Sequence, residues 1–422
     1  MNYQEALMFL KESTNGEWKL GLKRLETLLE IMHHPEKKLK FIHLAGTNGK
    51  GSTAMMLSSV LSAAGYKVGL FTSPCLLRVN EQIRINGEII GNEAFAKTCK
   101  QVKEAMGQLL IEEWPTEFER LTAVAFTYFH QVHCDIVVLE TGLGGLTDAT
   151  NIIPTCEVAV FTNIGMDHMN YLGSSIEEIA QVKAGIIKTG CKVVTYEQAD
   201  CVMQVLQTAS MSAKAELVVA QFDKICVHEE HLSMQKFSYK EFKDLSLPLI
   251  GEHQRRNAVV AIEVLLVLSS MGYHITEDFI KRGLFQVSWP ARFEILAKKP
   301  LVILDGGHNE QCIDECKKVL QKYVPDKKII FVVGVMADKD YTAMLSKLVP
   351  IAKEFITVTP PNERALPASS LAKVIQDLNK SATAKDLVED GIMLALKAAG
   401  PCDVVCIVGS LYMAAQVRKC FM

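Results

Sequence analysis

The sequence predicts an α/β protein of two domains, the larger of them built on a mainly parallel sheet. Three observations indicate this class. The chain has 422 residues, which is more than one hydrophobic core usually supports. Short apolar runs alternate with helical stretches such as "ERLTAVAFTYFHQV", a pattern typical of a parallel sheet covered on both faces. A Gly-rich turn also joins the first strong strand to a helix.

The elements of the first domain, residues 1–288, follow one another in strand-helix alternation. "KFIHLAG" reads as a buried strand, and "STAMMLSSVLSAAG" reads as a helix that stops at Gly65. "YKVGLFTSP" predicts a strand ending at Ser73, and "CDIVVLETGLGG" one ending near Glu140. "EVAVFTNIGMDH" predicts a strand whose exit loop carries Asp167 and His168, and "HQRRNAVVAIEVLLVLSSMG" predicts a long helix.

A second, smaller domain is predicted over residues 289–422. Trp289 and Pro290 interrupt the helical pattern in "VSWPARFEIL", and we place the boundary there. Four strand-like runs follow, most of them trailed by helical sequence: "PLVILDGGHNEQ", "KKIIFVVGVM", "EFITVT" and "DVVCIVGS". This pattern predicts a Rossmann-like α/β domain.

The bulk composition is that of an ordinary globular protein. Hydrophobic residues make up 49% of the chain and the formal net charge is -3, which excludes a disordered chain or a nucleic-acid-coating protein. Neither a signal peptide nor an apolar run of membrane-spanning length is evident, so we expect a cytoplasmic protein without nucleic-acid or membrane partners. We take a monomer as the working assumption, because the sequence does not determine the oligomeric state.

The cysteines favour buried free thiols over a metal site. The twelve cysteines include two pairs four residues apart, Cys312 with Cys316 and Cys402 with Cys406. They contain no CxxC, and no histidine cluster completes a zinc set. We therefore expect free thiols in the interior.

The segment "HLAGTNGKGST" lies where a phosphate-binding loop belongs, but it departs from the common pattern. That pattern requires Gly, four residues, Gly-Lys and then Ser or Thr, whereas Leu44 stands at the first Gly and Gly51 at the hydroxyl. The run still supplies close-approaching backbone amides, a helix N-terminus, Lys50, and a hydroxyl from Ser52 or Thr53. It therefore predicts a nucleotide site; the alternative is a Gly-rich turn that only caps a helix.

Two strand ends offer oxygen ligands for magnesium. Open parallel sheets bind ligands at the carboxyl edges of their strands, where Ser73 and Glu140 are predicted to lie. Taken alone, Glu140 is as well explained as a solvated strand end. His168, taken alone, is equally well explained as a loop histidine.

Together these motifs resemble one family. "HLAGTNGKGST", "GLFTSP", "NEQIRINGE", "EFERLTAVAF", "LETGLGG" with "DATN", "TNIGMDH", "QVKAGIIK", "NAVVA", "PARFE" and "LDGGHN" occur in the order found in folylpolyglutamate synthase and dihydrofolate synthase, of the Mur ligase superfamily. The resemblance runs from about Leu20 to the C-terminus. In this family the phosphate loop reads GTNGKGS, which accounts for the displaced Ser52.

The resemblance implies an ATP-dependent amide ligase that adds L-glutamate to folates through an acyl phosphate. A carboxylate is a poor electrophile until its oxygen is phosphorylated, so the chemistry requires alignment and charge neutralisation of two anions. The acceptor is a folate or dihydropteroate, and the sequence does not separate single from dual activity. Two alternatives stay open: a Mur-like ligase with another carboxylate acceptor, and a nucleotide-dependent switch protein without ligase activity.

The resemblance also implies roles for individual residues. It assigns catalysis to Lys50, His168 and Lys183, the last as a carbamylated lysine. It assigns ATP binding to Thr47, Asn48, Gly49, Lys50, Gly51, Ser52, Asn257, Arg292, Asp305 and His308. Two magnesium ions are implied, held by Ser52, Ser73, Glu140, His168 and carbamylated Lys183. Phe118, Glu119, Asp148 and Ala149 correspond to pterin-contacting positions. Because the ATP residues come from both predicted domains, ATP is expected to lie between them.

Four positions depart from the family pattern. Cys75 stands where the family commonly has His, and Leu146 where it has Arg. Val182 replaces a Glu before the special lysine, and Ala291 replaces a Gly before Arg292. Loss of an arginine removes a bidentate anion contact, so these changes put the acceptor preference in question more than the ATP chemistry.

Overall fold

In the computed structural model, which describes residues 1–12 and 21–421, the chain divides into two compact units. The first unit comprises Met1–Val227, Phe237–Ser246 and Arg255–Val287. The second comprises His228–Lys236, Leu247–Gln254 and Ser288–Met422. The predicted α/β class is confirmed in both units, as described below.

An eight-stranded sheet forms the centre of the first unit. Its strands lie in the order β4-β3-β2-β5-β1-β6-β7-β8. Strands β2, β5, β1, β6, β7 and β8 are parallel to their neighbours in this run. At one edge, β3 pairs antiparallel with β2, and β4 pairs antiparallel with β3. Their bounds are β1 Phe41–Ala45, β2 Val68–Phe71, β3 Ile83–Ile85, β4 Glu88–Ile89, β5 Ile136–Glu140, β6 Val158–Phe161, β7 Lys192–Thr195 and β8 Glu216–Val219.

The central strands of this sheet are buried along their whole length. Every residue of β1 and of β5 is buried, as expected for parallel strands with both faces covered. The helices of the first unit are α1 Tyr3–Lys11, α2 Lys23–Ile31, α3 Lys50–Ala63, α4 Asn92–Met106, α5 Glu117–Gln131, α6 Met169–Leu172, α7 Ile176–Ala184 and α8 Asp200–Ser212. Gly65, which the sequence predicts as the stop of α3, has a left-handed φ of 92°.

The chain continues through a small sheet and two helices. The small sheet has the order β11-β10-β9, with β9 Ile225–His231, β10 Met234–Tyr239 and β11 Phe242–Leu247. The helices are α9 Glu252–Ser270, which was predicted from the sequence, and α10 Glu277–Phe285.

The second unit is built on a six-stranded sheet of order β12-β13-β17-β14-β15-β16. β12 pairs antiparallel at one edge and the other neighbours pair in parallel, which confirms the Rossmann-like expectation. Its strands are β12 Glu294–Lys298, β13 Leu301–Leu304, β14 Ile329–Val333, β15 Ala352–Val358, β16 Ala382–Lys385 and β17 Val404–Val408. Its helices are α11 Glu310–Tyr323, α12 Tyr341–Leu348, α13 Ala368–Asp377, α14 Val388–Ala398 and α15 Ala414–Lys419.

The structure tests the expectation of buried free thiols and shows whether any described helix could span a membrane. The cysteines are free, and Cys99, Cys156, Cys191, Cys316 and Cys406 are buried as expected. Cys226 and Cys402 are exposed, so the expectation of buried thiols was wrong for these two. None of the helices in the described part of the chain combines the length and apolar character that a membrane crossing requires.

Helix α3, which leaves the Gly-rich turn, is fixed by close packing against α10. A Cβ atom at Gly283 would lie 2.4 Å from the Cα of Val60, so the two backbones touch. The Ser59 hydroxyl also donates a hydrogen bond to the Gly283 carbonyl at 2.7 Å. The position of the turn therefore depends on a glycine more than 200 residues further along the chain.

We predict that Gly283→Ala lowers the free energy of unfolding by about 1–3 kcal/mol, because the added methyl group overpacks a backbone contact. Chemical denaturation of the purified variant measures this change. Gly91→Ala is the matched control, since Gly91 is exposed and a Cβ there meets nothing within 4 Å. Equal stability of both variants would contradict the close packing of α3 on α10.

Candidate functional site

The Gly-rich turn between β1 and α3 has a backbone that only glycine fits. Gly49 precedes α3 with a left-handed φ of 91°, and Gly46 has φ 154°. A Cβ at Gly46 would lie 2.0 Å from Thr162 Oγ1, and a Cβ at Gly49 would lie 2.5 Å from Asn257 Oδ1. These glycines therefore allow close approach of neighbouring elements as well as the turn itself.

The exit of β6 holds the turn in place. The backbone amides of Thr47 and Asn48 both donate to the Asn163 carbonyl, at 2.7 and 3.3 Å. The Thr47 hydroxyl donates to the Gly165 carbonyl at 2.9 Å and accepts from the Gly165 amide at 3.0 Å. With these backbone groups paired, the turn has a fixed shape before any ligand arrives.

Two lysines converge on the turn. Lys50 Nζ donates to the Gly46 carbonyl at 3.1 Å and to the Thr47 carbonyl at 3.4 Å. Lys183 Nζ, from α7, donates to the same Gly46 carbonyl at 2.8 Å. Lys183 is only 3% exposed, and its burial, together with the positive charge of Lys50, lowers the pKa of Lys183 to about 7. The geometry therefore offers concentrated positive charge and one amine that loses its proton near neutrality.

A carboxylate and two hydroxyls lie at neighbouring strand ends. Glu140, the last residue of β5, is buried, and its Oε2 accepts from the Ser73 amide at 3.2 Å. Ser52 is buried in the first turn of α3, and Leu44 of β1 is in register with Glu140. Oxygen donors of these kinds fit Mg²⁺. Within residues 1–12 and 21–421 no three His, Cys, Asp or Glu side chains cluster to hold a metal, so such an ion needs hydroxyl or ligand oxygens.

His168 follows β6, as the sequence predicts. It caps α6 with a left-handed φ of 51°, and its side chain is about one-third exposed. Its backbone amide donates to Asp167 Oδ1 at 2.8 Å, and that oxygen lies 3.9 Å from the ring Nε2. The imidazole is therefore accessible beside a carboxylate.

The predicted pterin residues Phe118 and Asp148 meet at Gly142. A Cβ at Gly142 would lie 2.7 Å from Phe118 Cζ and 3.3 Å from Asp148 Oδ2. Phe118 also packs against Phe71, with ring centroids 5.8 Å apart, and Ala149 is buried next to Asp148. These residues form one side of a loop that follows β5.

Asp148, Thr150 and His43 form a buried chain of hydrogen bonds, called the relay below, which the sequence did not predict. Asp148 Oδ2 accepts from the Leu143 amide at 2.7 Å, and its Oδ1 accepts from the amide and the hydroxyl of Thr150. The Thr150 hydroxyl has one proton, so it accepts from His43 Nε2, 2.8 Å away. Burial raises the pKa of Asp148, and burial followed by the charge of Lys188 lowers that of His43 to about 3. His43 is therefore neutral, and the relay ties the loop to β1.

Glu119, also predicted to contact substrate, has structural partners. It completes a capping box with Thr116 at the start of α5, accepting from the Thr116 amide at 2.7 Å. It also forms a two-point ion pair with Arg24, with N···O distances of 3.0 and 3.2 Å. A substrate contact by Glu119 stays a prediction.

The second unit gathers Arg292, Asp305 and His308 at the carboxyl end of β13. Asp305 accepts from the Phe293 and Gly307 amides at 2.9 and 2.8 Å. His308 Nδ1 lies 3.0 Å from the Gly306 carbonyl, and a Cβ at Gly306 would lie 2.8 Å from Arg292 Nη1. The three side chains thus share one loop cluster, and their contact with ATP between the predicted domains stays a prediction.

Three of the four residues that depart from the family pattern can be described by their surroundings in the structure. Burial raises the pKa of Cys75 to about 11, so its thiol stays protonated at neutral pH. Leu146 is exposed, while its backbone amide donates to the Val182 carbonyl at 2.8 Å. Ala291 has a left-handed φ of 58°, a conformation in which glycine is the unstrained residue.

Comparisons with known proteins agree along the whole chain. Residues 44–265 match the Mur ligase middle domain, and residues 291–411 match the Mur ligase glutamate ligase domain. The chain is 37% identical to the dihydrofolate synthase/folylpolyglutamate synthase of Bacillus subtilis, over 99% of this chain and 98% of that one. It is 33% identical to the folylpolyglutamate synthase of Lacticaseibacillus casei over the same shares.

Solved structures are similar over the full length as well. Folylpolyglutamate synthase of Mycobacterium tuberculosis complexed with ADP is 28% identical, with a TM-score of 0.91 covering 100% of this chain and 99% of that one. E. coli FolC in complex with DHPP and ADP is 28% identical, with a TM-score of 0.88 covering 100% and 97%.

We predict that Thr150→Val lowers the free energy of unfolding by about 1–3 kcal/mol, because it leaves a buried His43 N–H without an acceptor and removes one donor to Asp148. Thermal and urea unfolding measure the change. Thr141→Val is the control, since the buried Thr141 hydroxyl has no hydrogen-bond partner among the described residues, and its replacement is expected to be neutral or stabilising. A neutral effect of Thr150→Val would contradict the relay.

Proposed function

The chain belongs to the Mur ligase family, in the group of folylpolyglutamate and dihydrofolate synthases, and we propose that it joins L-glutamate to folates in an ATP-dependent reaction. One observation carries the proposal: Lys50 and Lys183 converge on a preformed glycine turn. The chain that contains this turn is 37% identical, over 99% of its length, to the dihydrofolate synthase/folylpolyglutamate synthase of Bacillus subtilis. The ADP complexes of similar proteins support ATP as the nucleotide.

The reaction has two covalent steps. An oxygen of the folate carboxylate attacks the γ-phosphorus of ATP, and ADP leaves, which forms an acyl phosphate. The amine of L-glutamate then attacks the acyl carbon, phosphate leaves from the tetrahedral intermediate, and the nitrogen loses a proton. Lys50 and the backbone amides of residues 49–52 hold the phosphates and offset the charge of two approaching anions, while the Thr47 and Asn48 amides stay bonded to the Asn163 carbonyl.

Magnesium would be held by oxygen donors at the strand ends. Ser52, Ser73 and Glu140 are proposed to hold one ion, and His168 with carbamylated Lys183 a second. Bound magnesium neutralises phosphate oxygens and orients them for transfer. The role of the chain itself is to align these donors along the edge formed by β2, β5 and β1.

Carbamylation of Lys183 has a physical basis in its burial. Only the neutral amine attacks CO₂, and the resulting carbamic acid loses a proton to give an anionic oxygen pair. Burial and the neighbouring Lys50 lower the pKa of Lys183 to about 7, so the reactive neutral form is abundant at physiological pH. The carbamate would also place negative charge beside the Lys50 ammonium. A protonated Lys183 would instead repel Lys50.

The acceptor is proposed to bind beside the loop after β5, against Phe118, Asp148 and Ala149, with Glu119 at its edge. The E. coli protein in complex with DHPP and ADP supports an acceptor of the folate type. Whether dihydropteroate is used as well depends on this loop, where exposed Leu146 stands in place of the family arginine. Leu146 is also the observation that favours the second candidate, a related ligase for another carboxylate.

The central test measures ADP release with ATP, magnesium and L-glutamate while the acceptor is varied. Dihydropteroate, tetrahydrofolate and folates already bearing glutamates are compared, and products are weighed by mass spectrometry. We expect ADP release that depends on a folate-type acceptor, with a mass gain of one glutamyl residue per turnover. Acceptor-independent ADP release would indicate a nucleotide switch, and turnover only with a non-pterin carboxylate would indicate the second candidate.

A second prediction concerns Lys183. Lys183→Ala should abolish ligation, and short carboxylates added to the assay should restore part of it. In wild type supplied with ¹³CO₂, a carbamate signal should grow between about pH 6 and 8, since the neutral amine accumulates as the pH rises through the Lys183 pKa of about 7. Lys188→Ala is the control, because burial also lowers the Lys188 pKa, yet it should keep the carbamate signal. Full activity of Lys183→Ala would exclude the carbamate.

A further inference from the structure

The side chain of Asn151 joins the loop after β5 to the helix that carries Lys183. This loop comprises residues 141–149, is proposed to bind the acceptor, and is called the acceptor loop below. Asn151 Nδ2 donates to the Leu146 carbonyl of the loop and to the Gly185 carbonyl at the end of α7, at 3.0 Å in each case. We infer that Asn151 is a positioning residue that sets the distance between the acceptor loop and Lys183. This inference rests on the proposed ligation of folates.

The orientation of the Asn151 amide follows from its partners. Both are backbone carbonyl oxygens, which only accept hydrogen bonds, so the amino end of the carboxamide faces them. A flipped amide would place its oxygen against two other oxygens. The side chain is buried, and the backbone is fixed as well, because its amide donates to the Asp148 carbonyl at 2.8 Å and its carbonyl accepts from Lys188 Nζ at 2.9 Å. The two side-chain amide protons are therefore held between the loop and the helix.

The end of α7 receives part of its hydrogen-bond donors from the acceptor loop. The last carbonyls of a helix have no partner within the helix and need one from elsewhere. The Val182 carbonyl accepts from the Leu146 amide at 2.8 Å, and the Gly185 carbonyl accepts from Asn151. Leu146 thus uses both of its backbone groups in this contact, its amide on α7 and its carbonyl on Asn151. The acceptor loop and the end of α7 therefore form one hydrogen-bonded unit.

Close packing acts against these hydrogen bonds, so the distance is limited from both sides. A Cβ at Gly145 would lie 2.7 Å from the Lys183 carbonyl oxygen, and a Cβ at Gly185 would lie 2.6 Å from the Leu146 Cα. The two backbones therefore touch, and the loop has no room to come closer to α7. The bonds of Asn151 prevent the loop from moving away.

The distance matters because the two sides of this contact hold different parts of the proposed reaction. Asp148 in the acceptor loop is proposed to contact the acceptor, whereas Lys183 donates to the Gly46 carbonyl of the Gly-rich turn, which is proposed to bind the phosphates. The acceptor carboxylate must meet the γ-phosphorus at attacking distance, and misplacement of reacting groups by about 1 Å costs on the order of 10²-fold in rate. Asn151 is buried, so we assign it an effect through the loop and not through contact with a substrate.

The experiment compares wild type, Asn151→Leu and Gln235→Met. Leucine keeps the approximate shape of asparagine but donates no hydrogen bond. Gln235→Met is the matched control, because the buried Gln235 amide also donates to two backbone carbonyls, those of Leu249 and Gly251, but lies in the second unit.

We expect Asn151→Leu to lower kcat/KM for tetrahydrofolate at least about tenfold, while KM for ATP stays within about twofold of wild type. In the nucleotide-free protein, the Leu146 amide should exchange its hydrogen faster than in wild type, because the loop is held less firmly. Gln235→Met should keep the wild-type kcat/KM for tetrahydrofolate even where its stability falls. An unspecific loss of structure would instead affect both substrates alike.

A second variant tests the same distance if Asn151→Leu does not fold. Gly145→Ala adds a methyl group that pushes the acceptor loop away from Lys183, and because the φ of Gly145 is not left-handed, alanine brings no backbone strain of its own. It should give the same split between tetrahydrofolate and ATP. A wild-type kcat/KM for tetrahydrofolate in either folded variant, or an equal rise of KM for ATP, would overturn the role of Asn151.

Failure of the proposed function gives a different result. A wild type that forms no glutamyl product with any folate would overturn the proposed function, and this inference with it. A wild type that ligates glutamate, together with variants that ligate it equally well, would overturn the inference alone.

Discussion

The carbonyl oxygen of Gly46 is the group on which the rest of the site depends. Lys50 and Lys183 both donate to it, so two ammonium groups share one acceptor in a buried setting. Burial, and after it the repulsion from the Lys50 charge, lowers the Lys183 pKa far below that of a free lysine. A bound phosphate, or conversion of the Lys183 amine to a carbamate, would relieve this opposition, so the site favours negative charge.

The fixed shape of the turn makes that arrangement possible. The Thr47 and Asn48 amides donate to the Asn163 carbonyl and the Thr47 hydroxyl is bonded to Gly165, both after β6. The glycines of the turn allow Thr162 and Asn257 to contact the backbone. Little ordering then remains to be done when nucleotide binds, and less binding free energy is lost to conformational entropy. The close contact of Gly283 with Val60 also restrains α3, the helix whose N-terminus is proposed to face the nucleotide.

Strand β1 contacts both parts of the proposed site. At its end it leads into the Gly-rich turn, and its residue His43 is hydrogen-bonded to Thr150, which bonds Asp148 in the loop proposed to hold the acceptor. His43 is neutral and buried, so it adds no positive charge beside the lysines, and the Asp148 carboxyl acts in the opposite sense by raising the pKa of Lys183. One strand therefore connects the Gly-rich turn, proposed to bind nucleotide, with the loop proposed to bind the acceptor, and such a fixed connection favours alignment of the two substrates.

The sequence by itself determined the strands that lead into the site, the glycine turn, α9 and the stop at Gly65, because buried apolar runs and glycines constrain the backbone locally. It did not indicate the edge strands β12 and β16, whose exposed or half-buried residues lack a continuous apolar pattern. Pairs such as His43 with Thr150 and Tyr196 with Asn257 lie 107 and 61 residues apart, and only the order of strands in the sheet brings them together. Local chemistry thus predicted the candidate reactive groups, whereas the tertiary structure decided which residues contact them, because those contacts join residues far apart in the sequence.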